Sequence, residues 1–421
     1  MLRSYFQILR KRNFFFLWLG QIISQFGDRL TQMALIGLVY KLEPGSSVGL
    51  AKMLSLAIIP VFLFSPVAGV YADRWNKQKT MYISDALRGV FIFLVPVVFF
   101  KMRSIMPVYA LVFLSFGVGR FFIPAKMAII PSLVSKKDFL IANSLVSITA
   151  MIAAVLGFGL GGIIVEKWGV ESAFYFDAGT FFLSALLIFT MRIKEQAKFN
   201  PREFFVAGKD AIITAKNSFI YEAKEGLRYI FKSAETRYAA KVFFVLFATI
   251  GSLYTVFIIF IQNTLHTITL DLGWLAVGIG AGLFLGALLY GRFGSKVRVK
   301  KAISVSLLAS SSCLVLFAYL LHTHPNALLA FFLCILLGAI AAPIVIAVNT
   351  LIHQESKDGF WGRIFSSLEV IIHLAFIIFM FASSYLAEVM TPFTIIMSVG
   401  ITVMLFSAYT LIRSNAQSPR I

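Results

Sequence analysis

Polar side chains with helical spacing form a stripe near the start of the chain. The stripe consists of Gln21, Ser24, Gln25, Asp28, Thr31 and Gln32. These positions share one face of a helix. Inside an apolar helix a carboxylate costs at least ~2.5 kcal/mol, so we expect Asp28 to face a wet cavity. There it would bind a substrate or a cation, or carry a proton. The alternative is a structural carboxylate paired with Arg29 or another helix.

A second titratable pair lies near the other end of the chain. Glu369 and His373 are four residues apart, so they share a helix face. A buried carboxylate beside an imidazole could relay protons, because histidine titrates near neutrality. The alternative, which we favour for this pair, is a hydrogen-bonded contact that fixes helix packing.

Further polar residues within apolar segments form two groups. Asp85 and Arg88 are three residues apart, and we expect them to pair with each other or with the region around Asp73. With Arg120 they predict a structural charge network at one membrane face. Asp177 is predicted to be a structural hydrogen-bonding residue. A smaller set is predicted to add polar contacts to the cavity: Tyr254 and Asn349.

The composition shows what kind of element must position these residues. Of 421 residues, 59% are hydrophobic and only 14% are charged. Soluble domains are about 45–50% apolar and about 25% charged. These values argue against a soluble enzyme, a disordered chain and a coiled coil, and they predict a membrane protein that crosses the bilayer many times.

Twelve long apolar runs interrupt the polar sequence. They cover residues 14–40, 48–72, 81–100, 106–123, 142–165, 170–191, 242–262, 272–290, 302–321, 327–352, 364–387 and 392–412. The runs are continuous and do not alternate with period two, so they predict transmembrane helices and not barrel strands. The predicted fold class is an all-α membrane protein with twelve transmembrane helices in two six-helix bundles.

The charges between the runs predict the orientation. The chain has 38 Lys and Arg against 19 Asp and Glu, a net charge of +19. Alternate loops hold most of the basic residues, and by the positive-inside rule these loops are cytoplasmic. Both termini are therefore predicted inside. We expect a multi-pass protein of the plasma membrane, which is the inner membrane if the source is a bacterium.

One long polar segment divides the runs into two sets of six. We predict an N-terminal bundle over 1–193, a cytoplasmic linker over 194–237 and a C-terminal bundle over 238–421. Within the linker, apolar residues with helical spacing predict an amphipathic helix on the membrane surface: Ile220, Ala223, Leu227 and Ile230. A soluble linker helix is the alternative. Features of the first half recur about 220 residues later, as in an internal repeat.

Several motifs carry a family resemblance. Residues 69–79, Gly-Val-Tyr-Ala-Asp-Arg-Trp-Asn-Lys-Gln-Lys, resemble the loop 2–3 signature of the major facilitator superfamily. Residues 157–162, Gly-Phe-Gly-Leu-Gly-Gly, resemble its antiporter motif, with Phe158 in place of proline. The segments 25–28, 85–88, 122–126, 225–230 and 362–366 resemble the branch of macrolide-efflux-type exporters, and two of them also resemble lysophospholipid transporters.

The resemblance implies roles for two groups of residues. It implies a cytoplasmic gate of Asp73, Arg74 and Lys77, in which Asp73 docks at the start of the eleventh span, near Arg363, when the protein opens outward. The alternative is a positive-inside anchor with no switching role. Asp85, Arg88 and Arg120 would belong to the same gating network. Small residues of the fifth span would allow close helix packing: Gly157, Gly161 and Gly162.

These observations predict a secondary active transporter and not an enzyme. We expect alternating access and proton-coupled export of amphiphilic or drug-like small molecules, by a monomer in the lipid bilayer. The alternatives are a lysophospholipid transporter or flippase and a non-transporting membrane receptor or scaffold. The sequence holds no phosphate-binding Gly-Lys-Ser/Thr loop and no clustered metal ligands, so we expect no cofactor and no metal. Nucleic acid is not an expected partner.

Overall fold

The computed structural model describes residues 2–102, 104–135, 138–193, 228, 234–294, 297–355 and 361–416. Within these residues the chain forms helices and no strand. A helix covers each predicted apolar run, apart from one or two terminal residues of two runs. The linker prediction falls almost entirely on residues outside the described ranges, as does its amphipathic helix.

The first half of the described chain contains seven helices. They are α1 (Leu2–Leu9), α2 (Arg12–Leu42), α3 (Ser47–Arg74), α4 (Lys77–Met102), α5 (Met106–Leu133), α6 (Phe139–Trp168) and α7 (Val170–Phe189). Proline occurs inside α4 and α5 without ending either helix. A membrane helix tolerates proline because neighbouring helices and side chains satisfy the freed backbone groups.

The second half of the described chain contains six helices. They are α8 (Ala234–Leu265), α9 (Leu270–Phe293), α10 (Val299–Thr323), α11 (Ala327–Glu355), α12 (Trp361–Leu386) and α13 (Pro392–Ala416). Among the described residues, eleven helices are long and apolar enough to cross a membrane, and these are α3 to α13. Helix α2 has 31 residues but is not among the eleven, and it is the helix that carries the polar stripe.

The helices divide into two compact units. One unit comprises residues 1–38 and 52–219, and the other comprises residues 39–51 and 220–421. In the first unit α4 packs against α5 and α7. Its apolar core includes Phe14 of α2, Met81 of α4 and Ile129 of α5, each at most 1% exposed.

Side-chain hydrogen bonds join the starts of α2 and α4 to the end of α7, at the end of the first unit that is predicted to face the cytoplasm. The side-chain amide of Gln78, in the first turn of α4, donates to the backbone carbonyls of Ile188 (2.9 Å) and Met191 (2.8 Å) at the end of α7. Asn13 and Arg192 exchange two hydrogen bonds beside them, at 2.9 and 3.0 Å. These side chains donate to carbonyls in and just after the last turn of α7, where the helix no longer supplies its regular donors.

In the second unit, glycine allows two helix backbones to touch. Helix α9 packs on α11, α8 on α12, and α10 on α13. A Cβ added at Gly282 of α9 would overlap the backbone carbonyl of Ile335 in α11, and one at Gly286 would overlap that of Ala339. Such small-residue contacts are the usual means of close packing where lipid removes the hydrophobic driving force.

Candidate functional site

A polar cavity of about 300 Å³ lies within the first unit. Four helices line it: α2, α4, α5 and α6. Helix α2 contributes Gln21, Ser24, Gln25, Asp28, Arg29 and Gln32. Helix α5 contributes Phe116, Gly119, Arg120, Phe122, Ile123 and Lys126. Arg88 of α4 and Ala150 of α6 complete the lining.

Most of the predicted polar stripe faces this cavity. Five of its six residues line it, as expected from their spacing on one helix face. Thr31 is the exception. It is buried, and its hydroxyl donates a hydrogen bond to the Asp177 carboxylate on α7. Thr31 therefore belongs to the contact between α2 and α7 and does not line the cavity.

Asp28 forms an ion pair at the cavity wall. Its partner is the guanidinium of Arg88 on α4. A second carboxylate, Asp85, lies one turn before Arg88, with 4.0 Å between its Oδ1 and Arg88 Nη1. The Ser184 hydroxyl of α7 donates to Asp85 Oδ2 at 2.6 Å. Arg88 is thus flanked by two carboxylates, one on its own helix and one on α2.

The two carboxylates beside Arg88 differ in exposure. The Asp28 side chain is 27% exposed and that of Asp85 is 1% exposed. The Arg88 guanidinium also lies over the ring of Phe181, 4.1 Å from its centroid. An aromatic face so placed stabilises a cation by about 0.5–2 kcal/mol. Of the two acids, only Asp28 lines the cavity.

Asp177 occupies a separate, fully buried position on α7. Its carboxylate accepts hydrogen bonds from Thr31 and from Thr180, the latter at 3.0 Å. A Cβ at Gly27 would overlap Asp177 Oδ1 and Thr180 Oγ1, so the glycine allows α2 to approach this pair closely. The contacts agree with the structural role predicted for Asp177.

The predicted packing glycines of α6 are all buried. A Cβ at Gly157 would lie 2.7 Å from Arg29 Cβ and 2.9 Å from the Phe26 carbonyl oxygen. One at Gly161 would lie 3.2 Å from Met33 Cγ. The glycine face of α6 therefore packs against α2, on the flank of the helix that carries Asp28.

The predicted site residues of the second unit are not among those that line this cavity. Tyr254 of α8 packs on Phe376 of α12, with ring centroids 5.2 Å apart, and Asn349 is half-buried in α11. The His373 ring donates from Nδ1 to the backbone carbonyl of Glu369 at 2.8 Å, while Glu369 itself is exposed. This hydrogen bond links the His373 side chain to the backbone one turn earlier in the same helix, and not to the Glu369 side chain.

The predicted gate is only partly visible. Lys77 begins α4 and is half-buried. The side chains of Asp73, Arg74 and Arg363 lie outside the described part of the structure. The docking of Asp73 near Arg363 therefore stays a prediction. Arg88 and Arg120 line the cavity, and the part in the gate network expected of them stays a prediction.

Lys126 is a lining residue that the sequence reading missed. The predicted fourth span ended at residue 123, which assigned Lys126 to a loop. Helix α5 continues to Leu133 through Pro124 and Pro131. Gly119, Ile123 and Lys126 are spaced by four and three residues, so they share a helix face. That spacing could have identified Lys126 if the helix had been extended past the proline.

Comparison with known proteins identifies the family. A family model described as transmembrane secretion effector, of the major facilitator superfamily type, matches residues 3–357. The uncharacterized MFS-type transporter YkuC of Bacillus subtilis is 29% identical over 231 residues, 54% of this chain and 51% of YkuC. The chain thus spans about half the length of that relative.

Two other relatives match over most of their length. The putative bacilysin exporter BacE of Bacillus subtilis is 29% identical over 365 residues, which are 86% of each chain. Macrolide efflux protein A of Streptococcus pyogenes is 22% identical over 390 residues, which are 90% of each chain.

The fold has solved counterparts. The crystal structure of a bacterial homologue of the iron transporter ferroportin superposes with a TM-score of 0.73 at 15% identity, over 96% of this chain and 98% of that one. The predicted superfamily and the predicted likeness to efflux proteins are both confirmed. The chain belongs to the transmembrane secretion effector family of the major facilitator superfamily, and it is a multi-pass membrane transporter of small molecules.

Proposed function

We propose that the protein is a proton-coupled exporter that works by alternating access and expels amphiphilic or drug-like molecules from a bacterial cell. The observation that carries the proposal is the Asp28–Arg88 ion pair at the wall of a polar cavity, inside a bundle of apolar helices. Ionisable residues within a membrane are expensive, so they mark a transport path more often than a packing contact.

We propose different roles for Asp28 and Asp85, the two acids beside Arg88, because their side chains differ in exposure. Asp85 is buried and accepts a hydrogen bond from Ser184, so it stays beside Arg88 without reaching the cavity. Asp28 reaches the cavity, where water and substrate have access. We propose that Asp28 releases Arg88 when it takes up a proton, and that the pair forms again when the proton leaves.

Several charged groups surround the pair and would respond to that change. Asp85 lies on α4 and Asp177 on α7, while Arg120 and Lys126 face the cavity from α5. Protonation of Asp28 would remove its negative charge from the lining and leave Arg88 without that partner, so the lining would become more positive. A single proton that crosses 100 mV supplies about 2.3 kcal/mol, which is enough to bias a two-state equilibrium about fiftyfold.

Export is the direction that the relatives favour. One is called a putative bacilysin exporter and another a macrolide efflux protein. The lining combines polar groups with Phe116, Phe122 and Ile123, which suits an amphiphilic molecule. These features support small-molecule export as the activity of this chain.

The remaining architecture follows from the same proposal. We propose that α2 is a twelfth span, because its 31 residues exceed the roughly 20 that a bilayer needs and its polar face borders the cavity. The two bundles would comprise residues 1–193 and 238–421, with both termini and the 194–237 linker in the cytoplasm. Asp73, Arg74, Lys77 and Arg363 would form a gate at that face.

Asp28 gives the sharpest test. The purified protein is reconstituted into liposomes that are loaded with a fluorescent amphiphile. Efflux of the amphiphile is then measured with and without an imposed pH gradient. We expect Asp28→Asn to abolish the gradient-driven component and Asp28→Glu to retain part of it, because glutamate still titrates and still pairs with Arg88.

The control is Glu388→Gln, which removes an exposed carboxylate outside the cavity. It should transport like the wild type. If Asp28→Asn transports at the wild-type rate under a pH gradient, Asp28 has no part in coupling and the proposal fails.

A further inference from the structure

The charge of the cavity lining is unbalanced. Among the described residues, four cationic side chains line it, Arg29, Arg88, Arg120 and Lys126, against one carboxylate, that of Asp28. Asp28 is already paired with Arg88, which also has Asp85 beside it. Arg88 therefore has two carboxylates beside it, and the described lining carries more positive than negative side chains.

Two of the other cations have only neutral contacts within the described residues. Arg29 donates to the Gln32 amide oxygen at 3.2 Å and lies over the Phe158 ring at 5.2 Å. Lys126 is half-buried on α5 and makes neither a hydrogen bond nor an ion pair to a described residue. A cation in apolar surroundings without a counter-charge is costly, so this wall favours an anion.

One hydrogen-bond donor beside the cavity also has no partner among the described residues. Arg88 is 7% exposed, and its Nε finds no hydrogen-bond partner in the described part of the chain. A Cβ at the lining residue Gly119 would lie 3.1 Å from that Nε, which locates the donor beside the cavity.

The uncharged part of the lining is apolar. Phe116, Phe122, Ile123 and Ala150 border the cavity, and its volume of about 300 Å³ is at the lower end for small-molecule sites. We infer that the cavity binds the oxyanion of an anionic amphiphile, a phosphate or carboxylate group held against Arg29 and Lys126, with the adjoining hydrocarbon against these apolar side chains. This assignment rests on the proposed function and names its substrate class.

Binding of three probes tests the assignment. The full-length protein in phosphatidylcholine nanodiscs is titrated calorimetrically with decyl phosphate, decylammonium and inorganic phosphate, and empty nanodiscs provide the blank. We expect decyl phosphate to bind more tightly than the other two. Lys126→Gln should lower the affinity for decyl phosphate at least tenfold, the size expected when a charged hydrogen-bond partner is lost. Lys126→Arg should retain most of the wild-type affinity.

Lys167→Gln is the matched control, because Lys167 is an exposed lysine near the end of α6 and does not line the cavity. It should bind decyl phosphate like the wild type, and melting temperatures verify that each variant folds. Tighter binding of decylammonium would overturn the inference, as would an unchanged affinity in Lys126→Gln. Inorganic phosphate bound as tightly as decyl phosphate would overturn the assignment of an amphiphile.

Failure of the inference and failure of the proposed function look different. If decyl phosphate binds through Lys126 but no pH gradient drives efflux of any amphiphile, the inference holds and the proposed function fails. If cationic amphiphiles are exported under a pH gradient while decyl phosphate does not bind, the function holds and the inference fails.

Discussion

Arg88 lies between two carboxylates of the first unit that differ in exposure. Asp28 approaches it from the cavity, and Asp85 approaches it from the buried side of the same helix. Two identical side chains thus have different access to protons and ligands. Environment and not residue type sets the role of each, as in other sites that contain paired acids.

At this scale Ser184→Ala tests the buried half of the arrangement. Ser184 donates to Asp85 at 2.6 Å, and both residues are fully buried. Removing the hydroxyl leaves a buried carboxylate with one donor fewer, so we expect a loss of about 1–3 kcal/mol of stability. The measurement is the melting temperature in nanodiscs, followed by tryptophan fluorescence.

Ser144→Ala is the comparison for that prediction. The Ser144 hydroxyl donates to the Leu140 carbonyl within its own helix, so its loss should leave the melting temperature nearly unchanged. Equal melting temperatures for the Ser184→Ala variant and the wild type would show that Asp85 does not depend on this donor.

At the scale of elements, the contact between α9 and α11 depends on glycine. A Cβ at Gly282 meets a backbone carbonyl of α11, which cannot rotate away as a flexible side chain could. We expect Gly282→Ala to lower the stability by about 1–3 kcal/mol, the cost of overpacking a tight interface. Melting temperature in nanodiscs measures it.

Gly291 lies near the end of the same helix and provides the control. A Cβ there meets no atom within 4 Å. Alanine favours a helix over glycine by about 0.5–1 kcal/mol, so Gly291→Ala should be neutral or slightly stabilising. If both variants melt alike, the helices do not rely on close approach at Gly282.

At the scale of the whole molecule, the basic residues predict which ends of the helices face the cytoplasm. Helix α10 offers a compact test, because Lys300 and Lys301 follow its beginning, while the loop after it, residues 324–326, contains no lysine or arginine. The positive-inside rule places the beginning of α10 in the cytoplasm and its end outside.

Single cysteines on either side of α10 test that orientation. Val297 is 42% exposed before the helix, and Pro325 is exposed after it. We expect a membrane-impermeant maleimide to label Pro325→Cys in intact cells, and to label Val297→Cys only after permeabilisation. The native Cys313 and Cys334 are buried, so background labelling should be low. The reverse labelling pattern would invert the proposed topology.

Hydropathy alone located the helices, because a run of about 20 apolar residues in lipid has few options besides a helix. The spacing of Gln21, Gln25 and Asp28 was enough to predict a polar face toward a cavity. The length of α5 was not predictable in this way, since Pro124 ends a helix in water but not among packed membrane helices, and Lys126 was lost with it.

The amino-acid sequence by itself determined the helical membrane class, the superfamily and the helix face that carries Asp28, because period and hydropathy are local properties. The tertiary structure alone decided the partners. It paired Asp28 with Arg88, 60 residues away, and gave Thr31 to Asp177, 146 residues away. Helical periodicity fixes where a side chain points on its own helix, whereas packing decides which other helix it meets.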